Sequence, residues 1–189
     1  MNKALLAVLM ILILGACSVG YYIPISSDKV TTEDRYAIIR TDSLLIAVRP
    51  YYYPDTGNSY SSRFFSIYLQ VRNNSSQNRV LSPGSFSILA DGRQFDYIPL
   101  QLILSSTQSS LFLDQGNWFA EPSLFPDTTD PYEKEREHAL ELINNYFSFG
   151  DLIPGGRKEG FLFYNRDLQN KRQITIDVFG TPVSFGYSK

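Results

Sequence analysis

Between Phe65 and Arg72 the chain alternates one for one: Phe65, Ile67, Leu69 and Val71 are apolar, while Ser66, Tyr68, Gln70 and Arg72 carry polar groups. Successive side chains on an extended strand point to opposite faces, so this period of two describes a strand with one buried face. Neighbouring segments repeat the theme. Tyr36 to Arg40 and Leu44 to Tyr52 read as strands around Thr41-Asp42-Ser43, and the second, apolar almost throughout, suits an interior strand. Asn73 to Asn78 is a turn cluster. Phe86 to Ala90 leads into Asp91-Gly92, a two-residue hairpin signal, and Arg93 to Tyr97 returns. Phe161 to Tyr164, Ile174 to Val178 and Thr181 to Tyr187 read as three more strands. Phe65, Ile67, Leu69, Val71, Ile174, Ile176 and Val178 are expected to face one core.

One segment departs from this pattern. Asp130-Pro131 supplies a cap and a proline in a first helical turn. Tyr132, Ala139, Leu140, Ile143, Tyr146 and Phe147 follow at helical spacing, with Gly150 as a stop, which predicts a helix over 131–149. Glu133, Glu135 and Glu137 lie near its start, where the helix dipole favours carboxylates. They read as a solvated face rather than as paired catalytic acids.

With 13 Tyr, 13 Phe and 1 Trp, the chain is rich in residues that favour strands. Its apolar fraction of 43% and charged fraction of 19% are those of a folded domain. The formal net charge of −2 gives no reason to expect a nucleic-acid partner.

The N-terminus has a layout of its own. Lys3 precedes an apolar run from Ala4 to Leu14, and Leu14-Gly15-Ala16-Cys17 closes it. A charged start, a short hydrophobic stretch and small residues at the cut describe a secretory signal peptide. The 11-residue run falls short of the roughly 20 residues that span a bilayer. Leu-Gly-Ala-Cys resembles the bacterial lipobox. That resemblance implies a diacylglyceryl thioether on Cys17, cleavage before it and acylation of the new amine, a firm anchor. Cys17 is the chain's single cysteine, so no internal disulfide competes for it. Ser18 in place of Asp favours, by the same resemblance and for a Gram-negative host, the outer membrane. The expected organisation is a signal peptide at 1–16, a lipidated N-terminus and tether at 17–34, and a domain at 35–189. As a flexible linker, residues 18–34 would span roughly 20–25 Å, or less if Tyr21, Tyr22 and Ile23 pack on the domain.

A second resemblance covers most of residues 36–187. Its marks are Val71-Arg-Asn-Asn-Ser, Val80-Leu-Ser-Pro-Gly-Ser-Phe-Ser-Ile-Leu, Ala90-Asp-Gly-Arg-Gln-Phe-Asp-Tyr, Ile153-Pro-Gly-Gly-Arg-Lys-Glu-Gly-Phe-Leu-Phe-Tyr164 and Arg172-Gln-Ile-Thr-Ile-Asp-Val178. Together they are similar to the telokin-like, immunoglobulin-fold domains of bacterial lipoproteins. This implies a mainly β chain, an immunoglobulin-like antiparallel β-sandwich. The chain departs from that pattern in a loop and inserted helix at 112–149.

No catalytic or metal motif emerges. The one histidine, His138, lies among Glu residues without a Gly-x-Ser-x-Gly, so a nucleophile–base pair has little to build on. Asp127, Asp130 and Glu133 lack the spacing of a calcium loop. Gly155 to Gly160 precedes a strand, unlike a phosphate loop. Neither a cofactor nor a metal is expected. Two aromatic clusters remain: Tyr51, Tyr52 and Tyr53, and Trp118, Phe119 and Phe125. They are either recognition anchors or packing groups that pin the loops. The reading is a non-enzymatic, membrane-anchored envelope protein that binds another envelope protein, with a carbohydrate- or peptidoglycan-binding module as the alternative.

Overall fold

The computed structural model describes residues 20–54, 60–106 and 131–188. Among these residues the chain is mainly β, with twelve strands in antiparallel sheets and few helices. One five-stranded sheet orders β1 (Tyr21–Pro24), β12 (Thr181–Ser188), β11 (Gln173–Val178), β7 (Phe86–Ala90) and β8 (Arg93–Asp96). The other orders β10 (Arg157–Asn165), β5 (Phe64–Asn73), β4 (Leu44–Pro50), β3 (Tyr36–Arg40) and β2 (Val30–Glu33). A two-stranded ribbon joins β6 (Arg79–Leu81) to β9 (Gly150–Leu152). The helices are α1 (Tyr60–Arg63), α2 at 100–106 and α3 (Pro131–Asn145).

Both large sheets contribute to one core. Phe65, Ile67, Leu69 and Val71 of β5 meet Ile174, Ile176 and Val178 of β11 in a single buried cluster, as their alternation requires. β4 is interior, as its composition suggests, between β3 and β5.

Tight hairpins set the register. Asp91 and Gly92 both have positive φ, 48° and 72°, between the paired Ala90 and Arg93. Two-residue turns of that hand match the twist of paired strands. Asp34-Arg35 and Phe179-Gly180 do the same for β2–β3 and β11–β12. In the 73–78 turn, the Asn73 amide donates to the carbonyls of Gln77 and Leu152 at 2.7 and 2.9 Å, while its oxygen accepts from Ser75. That pairing is what lets Asn73 be fully buried.

β10 is apolar on both faces because both are covered. Leu162 and Tyr164 face the main core. Phe161 and Phe163 face a second core, completed by Tyr53, Tyr60, Ile103 of α2 and Leu142 of α3. The inserted helix therefore forms a third layer on β10. It ends at Asn145, four residues before the expected end at 149. The Phe147 N–H donates instead to the Phe161 carbonyl at 2.9 Å, which diverts the chain from helix to strand edge. Gly160 makes that approach possible: a Cβ there would lie 2.8 Å from the Asn145 carbonyl oxygen and the Phe147 nitrogen.

The N-terminal boundary also differs from expectation. Residues read as tether form β1 and β2, one at an edge of each large sheet, so the sheets begin at Tyr21 rather than at residue 35. Tyr22 and Val30 supply the reason, since both side chains enter the main core. The 112–130 stretch, with Trp118, Phe119 and Phe125, lies outside the described residues, as does Cys17.

Ile67→Ala should lower the unfolding free energy by about 2–5 kcal/mol, the usual cost of truncating a fully buried side chain. Leu89→Ala, on the outer face of β7 at 51% exposure, should change it by less than about 0.5 kcal/mol. Urea denaturation of the two variants measures the difference, and equal small losses would disprove the register.

Candidate functional site

The end of the fold where the chain first joins the sheets carries a recess of about 200 Å³. Its base is apolar. Tyr22 points inward from β1 and packs edge-on against Phe65 and Tyr187, with ring centroids 5.7 and 5.2 Å away. The Tyr22 hydroxyl donates to the carbonyls of Leu168 and Lys171 at 2.7 and 2.9 Å. These bonds lock β1 to the turn before β11. Gly20 lies directly against Tyr187, where an added Cβ would fall 2.0 Å from the hydroxyl oxygen.

The rim is aromatic and cationic. After β4, Tyr51 is tied to β5 at both backbone groups: its N–H donates to the Ser66 carbonyl, and its carbonyl accepts from the Ser66 hydroxyl. Arg49 lies with its guanidinium carbon 3.9 Å from the Tyr51 centroid and 4.3 Å from that of Tyr36. Arg35 lies 4.1 Å over Tyr21. Each contact is a cation–π pair, worth about 0.5–1 kcal/mol where exposed. Arg35 also occupies a left-handed conformation, with φ 67°, which a β-hairpin can use but a non-glycine residue adopts at a cost.

The electrostatics are one-sided. Among the described residues, Arg35 and Arg49 line the recess and no carboxylate, histidine or cysteine does. The Arg49 Nε is buried without a hydrogen-bond partner. Leaving a buried donor unpaired costs on the order of 1–3 kcal/mol, more when it is charged. A small anionic group would meet two guanidinium ions here. The volume lies below the range of about 300–1,000 Å³ typical of drug-sized ligands. It fits a sugar ring or a headgroup better than a folded peptide segment.

The structure separates the expected aromatic cluster. Tyr51 and Tyr52 are exposed, at 45% and 51%, and line the recess. Tyr53 is only 3% exposed and packs on Phe161 and Phe163 at 5.1 and 5.2 Å. Tyr53 therefore belongs to the second core and not with the recognition residues: its ring fills the space against Tyr60, Phe161 and Phe163. Trp118, Phe119 and Phe125 lie outside the described residues. Sequence reasoning missed Arg35, Arg49 and Tyr21. The available signal was the alternation of Tyr21, Ile23 and Ile25 with Tyr22 and Pro24, which marks a strand with an apolar outward face.

His138 sits half-buried on α3. Among the described residues, no three His, Cys, Asp or Glu side chains are grouped to hold a metal ion. No helix among them is long and apolar enough to cross a membrane. No protein-family description, curated protein or solved structure matches the chain.

Burial raises the ionisation of Tyr22, Tyr146 and Tyr164 above the ordinary tyrosine range, with a neighbouring tyrosine hydroxyl adding to each shift. A group whose folded pKa is raised stabilises the fold below its unfolded pKa and loses that contribution as pH rises through the folded value. Stability should therefore fall above about pH 10, the unfolded tyrosine value. Tyr22→Phe should lose less between pH 8 and pH 11 than the parent chain does, as measured by urea denaturation at both pH values. At pH 8 the same variant should be less stable by about 1–3 kcal/mol, because two carbonyls lose their donor.

Proposed function

We propose that the protein is a lipid-anchored envelope lipoprotein whose immunoglobulin-like β-sandwich domain is a non-enzymatic binding module. Support for the fold comes from two five-stranded antiparallel sheets around a shared core. Support for the anchor comes from Leu14-Gly15-Ala16-Cys17 behind the short apolar run. The observation that carries the reading is spacing. Cys17 is three residues before Gly20, where the described fold begins, so a lipid on its sulfur is tethered within about 10 Å of the sheets. Such a tether delivers the domain to the membrane surface rather than to a distant target.

The partner in this reading is another envelope protein, engaged through the loop that carries Trp118, Phe119 and Phe125, with Tyr51 and Tyr52 on the anchor side. A buried Trp anchor contributes on the order of 2 kcal/mol or more to an interface. The second reading, a carbohydrate- or peptidoglycan-binding module, is favoured by the two exposed tyrosines at the mouth of a recess sized for a sugar ring. In a Gram-negative host the Ser18 residue favours the outer membrane.

Cys17→Ser should abolish labelling by a fatty-acid probe and remove the mature protein from the membrane fraction. Undiminished labelling would sink the anchor. In the anchored protein, Trp118→Ala should lose its crosslinked protein partner while its melting temperature changes little. A destabilised variant, or a stable one that keeps every crosslink, would overturn the role of the loop.

A further inference from the structure

We infer that the aromatic–arginine recess seats the headgroup of an anionic phospholipid in the leaflet that holds the anchor. This inference rests on the anchoring reading above and adds an orientation: the domain stands on the membrane on the end that carries β1, Tyr51 and Tyr52.

Covalent reach comes first. Gly20 lines the recess, and only three residue steps separate it from Cys17. An extended chain covers about 10 Å in that distance, comparable with the zone of about 5–8 Å that headgroups occupy on each side of a bilayer. The recess is therefore held beside the headgroups whenever the anchor is inserted.

Charge and shape point the same way. Arg35 and Arg49 face the recess, and among the described residues no carboxylate lines it. The guanidinium carbon of Arg49 lies over both the Tyr36 and the Tyr51 rings. A guanidinium also carries terminal N–H groups that pair with phosphate oxygens in a fork. The surround suits a bilayer interface. Tyr51, Tyr52 and Tyr21 are exposed, and tyrosine favours the headgroup level. Ile23 and Ile25 extend the apolar outward face of β1, at 39% and 49% exposure. A sugar would stack on open ring faces, yet Tyr51 is already engaged by Arg49 at 3.9 Å and stacked on Phe161 at 6.4 Å.

The test uses the full-length lipidated protein reconstituted into vesicles of phosphatidylcholine, with or without phosphatidylglycerol. Phenylglyoxal modifies accessible arginines, and peptide mass spectrometry reads each site. Arg35 and Arg49 should react roughly tenfold more slowly in the anionic vesicles, as expected when the headgroup greatly exceeds its dissociation constant. Arg79 and Arg93, exposed on other strands, should react alike in both. Equal rates at Arg35 and Arg49 in the two vesicle types would overturn the headgroup site while leaving the anchor intact. Equal protection by dissolved glycerol phosphate in phosphatidylcholine vesicles would overturn the membrane source. Protection by a soluble muropeptide instead would transfer the site to the saccharide reading. Protein recovered free of the vesicles would overturn the anchor, and this inference with it. As a second readout, brominated phosphatidylglycerol should quench the tyrosine fluorescence of the parent protein severalfold more than that of a folded Arg35→Gln/Arg49→Gln variant.

Discussion

The pairing of β10 with β5 is the interaction on which the rest of the structure depends. It runs unbroken from Arg157 opposite Arg72 to Asn165 opposite Phe64. Backbone hydrogen bonds hold the two strands together while their side chains serve different layers. Leu162 and Tyr164 close the main core, and Phe161 and Phe163 make a floor for the helical layer. An edge strand with two apolar faces would be a liability in isolation. Here α3 and the segment around Tyr53 cover the face of β10 turned away from the main core. The Phe147 N–H reaches the Phe161 carbonyl and joins the helix to that same strand. Sheet and insertion are therefore one folding unit, and loosening either exposes aromatic surface on the other.

Cover for β10 also shapes the recess. Tyr53 turns into the second core, while Tyr51 and Tyr52 stay exposed. Tyr51, held at its backbone by Ser66, presents its ring to Arg49 on one hand and to Phe161 on the other. On the outer face the contacts continue from Arg49 to Tyr36, to Tyr68 and to Glu159. Hydrogen bonds, the strongest from Gln70, hold the Glu159 carboxyl below the ordinary range. The nearest negative charge in this chain of contacts is thus committed to Tyr68, Gln70 and Arg157. Among the described residues the cationic side of the recess has no carboxylate in its lining, although the protein as a whole is slightly acidic.

Much of this architecture was legible in the residues. The alternation from Phe65 to Val71 reports a sheet face directly, because burial on one side leaves only one allowed pattern. Asp91-Gly92 reports its turn because both positions need positive φ. Other features were hidden for identifiable reasons. Asp34-Arg35 builds the same kind of turn without a glycine, and only the pairing of Glu33 with Tyr36 makes it recognisable. The helix stops four residues before the expected end because, although Tyr146 and Phe147 keep helical spacing and the Tyr146 N–H still reaches the Leu142 carbonyl, the Phe147 N–H goes to Phe161 instead. Tyr53 looked like its neighbours because tyrosine is at home on either side of a surface. Arg35 and Arg49, 14 positions apart, meet the same recess only once β1 has closed over it.

Exposed chemistry is distributed unevenly over the domain. β8, an edge of the first sheet, shows Arg93, Gln94 and Asp96 to solvent, and the nearby Asp91 pairs with Lys171 at 2.7 Å. Charges of both signs at an edge discourage pairing with other chains. β1, the opposite edge of that sheet, instead exposes Tyr21 and Ile23, with Ile25 just beyond. An apolar edge left open to water invites aggregation, so a fold that keeps one has a reason to hold it against something else. Gly20, the residue before β1, packs on Tyr187 at that edge. The two edges of one sheet thus differ in kind, charged residues of both signs on β8 and large apolar side chains on β1.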